Sequence, residues 1–449
     1  MVTNFVKTSA LALLLASLGL AAQGTCTDGT VVQSIQLDGL KHTNARVVNR
    51  ELVNRVGEPF SAEKFEAEKL RLQDLDLFTE VSVSCEKAGE PAEPGLVKLT
   101  YSFKEIFRWI PAPAGKKTDR DGLMLGAALA NINVAGEDIR LEVQYRTTVD
   151  PFFDKNEAAF YASSPYLFGL PLGWNFEFLL TDSYDNIRDF QEKSILLDLD
   201  LEYKFLPHLS LLGTAAYRRL RDFANLPELG LGFAFDYRDS KLDTRDGVYF
   251  EYMLTHVGAG EEYLACSANI ESDEPVETES RFCNTDNGEN YWELLTDARA
   301  YKTFGRFVTG ATALVRYRPG DVKFYDYYYH GGANTFRGHE ADSGSLGTHE
   351  ALLTLEERFV LLERRAASVM GVNFFYGVQL VAGFDGSLLW DKGRPGWDNY
   401  EGAVYGGVHL VIPALDRIRF EVGYSPDRGE PVFYFGLFDK VTSSRWRSR

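Results

Sequence analysis

The sequence predicts a mainly β protein in which a long antiparallel membrane barrel follows a small domain of helices and strands. Composition gives the first indication, because aromatic residues make up 13% of the 449 residues and glycine contributes 40. Aromatic side chains favour strands, and glycine favours turns. The second indication is a strict alternation of apolar and charged residues in runs of about ten, the length at which a strand crosses a bilayer. The third is that no apolar run beyond the N-terminus approaches the roughly 18–20 residues of a membrane helix.

Charge and motif content exclude several classes of function. The 47 Lys and Arg residues against 65 Asp and Glu residues give a net charge of −18. This argues against a nucleic-acid partner, because such binding depends on basic residues that meet phosphates. The histidines have neither the His-x-x-x-His spacing nor the Cys/His spacing of a zinc site, so we expect no metal and no cofactor. The sequence lacks a Gly-x-Ser-x-Gly motif, and we expect no enzyme activity.

Residues 1–24 have the pattern of a secretory signal peptide. Lys7 supplies the basic start, residues 10–20 form a short apolar core, and small residues such as Ala21 and Gly24 suit cleavage. A buried N-terminal helix would fit neither this position nor the basic flank. The sequence therefore predicts export from the cytoplasm.

Export makes disulfide bonds available to the four cysteines. Four cysteines allow three pairings. We expect the two local pairs, Cys26–Cys85 and Cys266–Cys283, because the members of each pair lie in the same region of the chain. The residues before Cys26 do not form a lipobox, so lipid anchoring at that cysteine is not expected.

Residues 25–105 have the pattern of a small independent domain with the order β-α-α-β-β. Apolar residues recur with period two in its strands and with helical spacing between them. The predicted elements are a strand at residues 31–37, a helix around residues 47–56, a second helix after Ser61, and strands at residues 81–85 and 97–103.

The turn at residues 57–60 (Gly-Glu-Pro-Phe) and the segment at residues 77–81, taken with this element order, resemble a POTRA domain. POTRA domains are periplasmic modules that precede outer-membrane assembly barrels. The resemblance implies that a client protein adds a strand to one edge of the sheet. We expect that client-binding edge near Val81 and Val83. An ordinary α/β domain without a client is the alternative interpretation.

Residues 106–438 are predicted to form a 16-stranded antiparallel barrel, an even number as in single-chain bacterial barrels. Ile195 and Leu197 lie on one face of a strand, for example, while Asp198 and Asp200 lie on the other. A sandwich in water would also alternate, but a charged face in so many strands is typical of a barrel lumen. The strands are expected to begin near Phe107, Leu123, Ile139, Ala158, Gly173, Ser194, Leu209, Leu229, Val248, Tyr291, Arg306, Ala351, Val372, Gly402, Ile418 and Val432.

The connections between these strands indicate how the barrel is oriented. Turns after every second strand are short, such as residues 206–207, whereas the long segments 258–290, 319–349 and 386–400 all fall on the other side. Short periplasmic turns and long extracellular loops are the expected asymmetry. The pattern places the N-terminal domain and the C-terminus in the periplasm, and the second cysteine pair in an extracellular loop.

Four short motifs follow one another along the barrel region. They are Asp236-Tyr237-Arg238-Asp239 with Arg245-Asp246-Gly247, the segment from Gly331 to His339, the segment from Leu355 to Phe359, and Gly383-Phe384-Asp385-Gly386. In this order they resemble the BamA/TamA superfamily of outer-membrane assembly barrels, the bacterial surface antigen barrels. With the single POTRA domain, the resemblance spans nearly the whole chain after the signal peptide.

The resemblance implies a defined position for the loop motif Arg337-Gly338-His339. In that superfamily the loop folds back into the lumen, and its arginine meets acidic residues of the barrel wall. Carried over, Arg337 would pair with Glu356 and Asp385, since a guanidinium in a partly dry lumen needs carboxylates. A solvated surface arginine is the alternative interpretation.

Three features depart from the superfamily pattern. His339 stands where an aromatic residue is usual, and one POTRA domain is present where the central assembly factor has several. The last strand ends near Phe438 and is followed by a basic tail at residues 439–449, which the orientation places in the periplasm. The role of this tail stays open.

The resemblance implies a protein-handling barrel in outer-membrane lipid. An unfolded protein client would bind the POTRA edge and then pass into or across the membrane through a weak seam between the first and last strands. Pro111, Pro113 and Gly115 would be poor ladder partners at that seam, or else they belong to a plain loop. A passive channel or structural barrel without a client is the alternative function. Three questions stay open. They are the identity of the client, whether the client is inserted or secreted, and whether the barrel acts singly or as a homodimer.

Overall fold

The computed structural model divides the chain into two compact units, Met1–Glu105 and Ile106–Arg449. It describes residues 26–88, 95–118, 122–149, 155–240, 243–258, 290–332, 335–340, 346–369, 372–391, 393–412 and 415–437. The predicted signal peptide, the Cys266–Cys283 pair and the C-terminal tail lie outside these residues. Within them, no helix is both long and apolar enough to cross a membrane.

The first unit is a three-stranded sheet with two helices. Its elements are β1 (Val31–Asp38), α1 (Ala45–Asn49), α2 (Ala62–Asp74), β2 (Phe78–Lys87) and β3 (Leu96–Glu105). The sheet order is β1-β3-β2, in which β1 is parallel and β2 antiparallel to β3. Helix α2 begins where the Ser61 side chain accepts a hydrogen bond from the Lys64 amide at 3.3 Å. The predicted β-α-α-β-β order is confirmed.

The core of this unit surrounds one buried carboxylate. Leu72 of α2 and Leu99 of β3 are fully buried. Beside them, Glu68 accepts hydrogen bonds from Tyr101 Oη at 2.8 Å and from Asn54 Nδ2 at 3.1 Å. Buried polar groups need such partners, so Glu68 fixes the chain after α1 against the sheet.

A disulfide joins Cys26 to Cys85, which is the pairing that the sequence analysis expects in this unit. It ties the segment before β1 to β2, the strand at the edge of the sheet. A domain of this size buries a modest core, and a covalent tie compensates for that.

The second unit is a closed barrel of 16 antiparallel strands. Its strands are β4 (Trp109–Thr118), β5 (Gly122–Val134), β6 (Ile139–Thr148), β7 (Lys155–Ser164), β8 (Leu172–Asp185), β9 (Phe190–Leu206), β10 (Leu209–Leu220), β11 (Ala224–Asp236), β12 (Gly247–Val257), β13 (Tyr291–Phe304), β14 (Phe307–Tyr317), β17 (His349–Val369), β18 (Val372–Trp390), β19 (Tyr400–Ile412), β20 (Leu415–Tyr424) and β21 (Pro431–Leu437). Two short strands, β15 (Tyr328–Tyr329) and β16 (Leu346–Gly347), pair with each other between β14 and β17. The predicted barrel is confirmed.

Apolar side chains cover the outside of the barrel, and charged side chains point inward. On β9, Leu197 is 40% exposed while Asp198 and Asp200 are buried. This distribution is the reverse of a soluble sheet and suits strands with lipid outside and a polar lumen. The lumen also contains an apolar cluster contributed by β10 to β17, which includes Met253 and Leu295. Alternation of apolar and charged residues gives no sign of that cluster.

Prolines explain one wrong strand boundary, and they decide between two interpretations that the sequence left open. Strand β11 begins at Ala224 and not at Leu229, because Pro227 interrupts the strand pattern without ending the strand. Pro111 and Pro113 lie within β4, so the plain-loop interpretation is wrong. Both residues pair with β5, and both precede Gly115 and Lys116, the residues of β4 that pair with β21. A proline without an N–H is tolerated where a strand has one hydrogen-bonded neighbour.

The barrel closes through a short seam between β21 and β4. Among the described residues, which end at Leu437 on the last strand, two pairs form it, Gly436–Lys116 and Leu437–Gly115. The next pair of strands, β4 and β5, is joined along the whole of β4. The first and last strands are therefore the most weakly paired neighbours among the described strands of the barrel.

Candidate functional site

The connection between β14 and β17 carries the loop motif and turns into the barrel lumen. It contains a 3-10 turn (Phe324–Asp326) and the short strands β15 and β16. The side chains of His330, Phe336, Arg337 and His339 along it are all buried. Buried polar side chains need partners, and the barrel wall supplies them.

Arg337 is held by two carboxylates of the wall. Its Nε and Nη2 donate to Asp385 Oδ2 and Oδ1 at 2.7 and 2.8 Å, and its backbone amide donates to Asp385 Oδ2 at 3.1 Å. Its Nη1 donates to Glu421 Oε1 at 3.1 Å. Glu421 in turn lies 2.9 Å from His409 Nε2. A bidentate contact fixes orientation as well as position, so the guanidinium determines where the loop sits.

Two glycines make room for this contact. The Arg337 guanidinium lies over the Tyr405 ring, with Cζ 3.3 Å from the ring centroid. A Cβ at Gly383 would stand 2.4 Å from the Tyr405 ring, and a Cβ at Gly423 would stand 1.6 Å from the Arg337 carbonyl oxygen. Real Cβ atoms do not approach other atoms so closely. Glycine on β18 and β20 therefore lets the loop backbone lie against the wall.

The second carboxylate on Arg337 is Glu421, whereas the sequence analysis expected Glu356. Glu356 accepts a hydrogen bond from Tyr405 Oη at 3.0 Å and pairs with Arg358 Nε at 3.4 Å. Arg358 lies two residues after Glu356 on the same face of β17. It pairs with the carboxylate that the resemblance assigned to Arg337. The Tyr405 ring receives the guanidinium while its hydroxyl group reaches Glu356.

Sequence reasoning missed three residues of this site: Glu421, Tyr405 and His409. A signal for Glu421 existed, because the alternation of β20 places it on the charged, inward face beside Arg419. That alternation shows which face a carboxylate occupies. It does not show which inward carboxylate lies opposite the loop, since that depends on strand register.

His339 and Gly338 complete the loop motif. His339 Nε2 lies 2.7 Å from Glu401 Oε2, and its carbonyl oxygen accepts a hydrogen bond from Tyr434 Oη at 3.1 Å. A Cβ at Gly338 would stand 2.3 Å from the Phe336 ring, so glycine is required for this tight bend. Burial disfavours the charged imidazolium, but the hydrogen bonds to Glu401 and to the following carbonyl outweigh burial and raise the pKa of His339.

The first half of the same loop is anchored to a different part of the wall. The Asp326 carboxylate pairs with Arg218 of β10 and accepts a hydrogen bond from Tyr291 of β13. Arg318 Nε lies 2.6 Å from Glu293 Oε2 on β13. The loop therefore contacts β10 and β13 through its first half and β18 to β21 through its second half.

The turn between β11 and β12 also enters the lumen, from the periplasmic end. Asp243 accepts hydrogen bonds from Gln379 Nε2 at 2.9 Å and from Arg358 Nη1 at 3.3 Å. Arg358 Nη2 donates to the Thr244 carbonyl at 2.6 Å. Gly247 closes the turn at a φ of +117°, where a Cβ would stand 2.2 Å from a facing backbone oxygen. The motif that the sequence analysis noted thus builds an inward turn, which no pattern in the sequence indicated.

One group of lumen side chains has the donor atoms of a metal site. Glu356, His409 and Glu421 each place one ligand atom within 4.8 Å of the others. Arg337 already donates to Glu421 at 3.1 Å, and Arg358 lies 3.4 Å from Glu356. These guanidinium groups supply positive charge where a cation would have to sit. We therefore assign the cluster to the ion-pair network around the docked loop, in which Glu421 contacts Arg337 directly.

Val81 and Val83 lie on β2, at the edge of the POTRA sheet. Val81 is 7% exposed, so its side chain belongs to the core of the domain. The neighbouring Ser82 is exposed and points away from that core. Any client at this edge would therefore be bound by the backbone of β2, whose second side has no strand neighbour in the described part of the sheet.

The two units define a class of protein: an outer-membrane β-barrel with an N-terminal POTRA domain. A model of the Omp85 superfamily domain matches residues 131–437. A POTRA model, described as a surface antigen variable number repeat, matches residues 30–106. The chain belongs to the Omp85 superfamily, which the sequence resemblance predicted. Its barrel lies in the outer membrane, and its POTRA domain lies in the periplasm.

Solved structures share this fold at low sequence identity. CdiB from Escherichia coli has a TM-score of 0.57 and 15% identity, with 91% of this chain and 76% of that chain covered. BamA from Haemophilus ducreyi lacking POTRA domains 1–3 has a TM-score of 0.52 and 13% identity, with 91% and 84% covered. The comparison with curated proteins finds no significant match. Identities this low carry over the fold alone.

We predict that Arg337→Ala leaves an assembled barrel that is less stable. The substitution removes the countercharge of Asp385 and Glu421, and breaking a buried ion pair in this way costs about 3–5 kcal/mol. The measurement is the temperature at which the folded band is lost in heat-modifiability gels. Arg337→Lys should recover part of the loss, because lysine keeps the charge but not the bidentate geometry. Arg394→Ala, at an exposed loop position, is the control, and equal stability of all three variants would contradict the predicted role.

We predict that His339 makes barrel stability depend on pH. Because its folded-state pKa lies above the ordinary value of about 6.5, its stabilising effect is complete below that pH and is lost as the pH rises through the folded-state pKa. The heat-modifiability midpoint of the native protein should fall toward that of His339→Gln as the pH is raised. A constant difference between the two proteins across this range would contradict the prediction.

Proposed function

We propose that this protein receives an unfolded client in the periplasm and inserts it into the outer membrane or passes it across. Proteins of the Omp85 superfamily insert or translocate proteins. The short seam between β21 and β4 is the observation that carries the proposal for this chain. The role is not enzymatic, because it requires strand pairing and release but no covalent chemistry.

The POTRA sheet supports the first step, which is capture of the client. Strand β2 presents backbone N–H and C=O groups along the second side of the edge, and an extended client segment can pair with them. The other edge strand, β1, is partly covered, because Val32 exchanges backbone hydrogen bonds with Gly57 and Glu58 at 2.8 and 2.9 Å. Capture is therefore expected at β2.

The seam supports the second step, which is transfer through the barrel wall. Backbone groups that lose their partners in lipid cost several kcal/mol each, so the seam of two residue pairs is the cheapest to open among the described strand pairs. A client strand could then pair with the free edge of β4 or β21. Fully paired neighbours elsewhere in the described barrel would need far more energy to separate.

The anchored loop supports control of that seam. Tyr434 of β21 donates to the His339 carbonyl at 3.1 Å, and the other partners of the loop motif lie on β18 to β20. Docking of the loop therefore supports the last strands of the barrel from inside. The same loop occupies the lumen beside them, which argues against a freely open passive channel.

We predict that a photo-crosslinking residue at Ser82 captures a periplasmic client. Ser82 is the exposed position between Val81 and Val83, so it reports on the edge without disturbing the core. Crosslinked adducts should be found by mass spectrometry in cells that express the full-length protein. The matched control is the same residue at Glu66, an exposed position on α2. Equal adducts from both positions, or none from Ser82, would argue against client capture at β2.

We predict that closing the seam with a disulfide stops client transfer. Gly115→Cys with Leu437→Cys joins residues that are paired across the seam, and antiparallel partners are close enough for a disulfide. Appearance of the captured client in the outer membrane or outside the cell should fall at least tenfold and recover on reduction.

The control for this experiment is a cysteine pair at Thr309 and Glu357, which joins the fully paired strands β14 and β17. It experiences the same oxidation and reduction but leaves the seam free. Full transfer by the seam-locked protein would exclude lateral transfer. Ion conductance without any client, together with unchanged transfer, would favour a passive channel.

A further inference from the structure

The outward-facing residues of β9 mark where the barrel leaves the hydrocarbon layer. Every second residue from Ile195 to Phe205 is apolar, and the next outward position is Lys193. At about 3.4 Å per residue and a tilt of about 40°, this stretch rises about 25 Å along the membrane normal. That is the height of the apolar band in such barrels. Lys193 therefore lies at headgroup level, on the extracellular side.

The neighbouring strands cross the same boundary at the same level. Strand register pairs Lys193 with Asp182 of β8 and pairs Ile195 with Arg219 of β10. Arg221, just beyond β10, donates its backbone amide to the Lys193 carbonyl at 2.8 Å. Three basic side chains from two adjacent strands are thus brought together at one point of the outer surface.

A groove of about 540 Å³ opens at this point of the wall, between β6 and β10. It has an apolar part and a basic part. The apolar part continues the lipid-facing band, and the basic part lies at the headgroup level. The residues that matter for its chemistry are Ala158, Leu180 and Ile195 in the apolar part and Lys193, Arg219 and Arg221 in the basic part.

The basic part keeps a net positive charge after its acidic neighbours are counted, because Glu157, which also lines the groove, is buried and already paired with Arg146 and Lys155. Lys193 Nζ lies 3.6 Å from Asp182 Oδ2, and Arg221 Nε lies 3.8 Å from Asp222 Oδ2. Both pairs are largely exposed, and such pairs are weak. Arg219 forms no ion pair with any residue that the structure describes. An anion that enters the groove therefore meets one unpaired guanidinium and two loosely held cations.

We propose that this groove binds a phosphorylated acyl lipid of the extracellular leaflet. Its phosphate would contact Arg219, Arg221 and Lys193, since guanidinium and ammonium groups form charge-assisted hydrogen bonds with phosphate. Its acyl chain would lie along Leu180 and Ile195. The groove is continuous with the lipid-facing band, so the occupant is a lipid already in the leaflet and not a soluble anion.

The test is lipid binding by the full-length protein in detergent micelles, followed by native mass spectrometry. The probe is diphosphorylated lipid A, and its dephosphorylated form with the same acyl chains is the matched control ligand. We expect Arg219→Gln to weaken binding of the probe about fivefold. Combined with Lys193→Gln and Arg221→Gln, the loss should be on the order of a hundredfold. Arg394→Gln, which removes an exposed positive charge from another extracellular loop, should bind like the native protein.

Three results would overturn the proposal. The first is equal binding of phosphorylated and dephosphorylated lipid A, which would remove the role of the basic side chains. The second is native affinity in the triple variant. The third is displacement of lipid A by inorganic phosphate at the same concentration, which would make the groove an anion site without a lipid. Because Arg219 is exposed on the outer surface, its single variant should fold, and unchanged heat-modifiability would verify this.

Discussion

The buried guanidinium of Arg337 is the constraint around which this side of the barrel interior is arranged. A cation removed from bulk water needs carboxylates within hydrogen-bonding distance, and Asp385 on β18 and Glu421 on β20 provide them. The ring of Tyr405 on β19 lies under the same group. Three consecutive strands next to β21 therefore converge on one loop residue. The glycines of this wall follow from the same requirement, because a Cβ would occupy space that the loop backbone or the ring needs.

The contacts continue from this loop toward the periplasmic end of the barrel. Arg337 lies on Tyr405, which donates to Glu356, which pairs with Arg358, which donates to Asp243 of the inward turn. Charges of opposite sign alternate along this path. Displacing one member would leave its neighbours with unpaired charges that are buried away from water, which is costly. The extracellular loop and the periplasmic turn thus depend on one electrostatic network, which lies against strands close to the seam.

Much of the fold could be predicted because lipid and lumen impose opposite chemistry on every second residue. This alternation with period two predicted the strands of the barrel, and it failed mainly where Pro227 interrupted β11. The functional site was harder to predict from the sequence. Resemblance to a known superfamily pointed to Arg337 and Asp385, but Glu421 required the register of β20 against the loop. The inward turn at Asp243 was hidden because its partners, Arg358 and Gln379, are distant in sequence. The basic cluster around Arg219 was hidden because it depends on the register of β10 against β9.

The disulfide between Cys26 and Cys85 distinguishes the precursor before export, which lacks the bond, from the protein in the periplasm, which contains it. Such bonds do not persist in the reducing cytoplasm and form in the oxidising periplasm. The N-terminal domain therefore acquires its covalent tie only after the chain has crossed the inner membrane. Before that, the precursor lacks the tie and is easier to keep extended for export. Formation of the bond thus depends on the oxidising environment of the periplasm. The domain becomes fully rigid only in the compartment in which it is located.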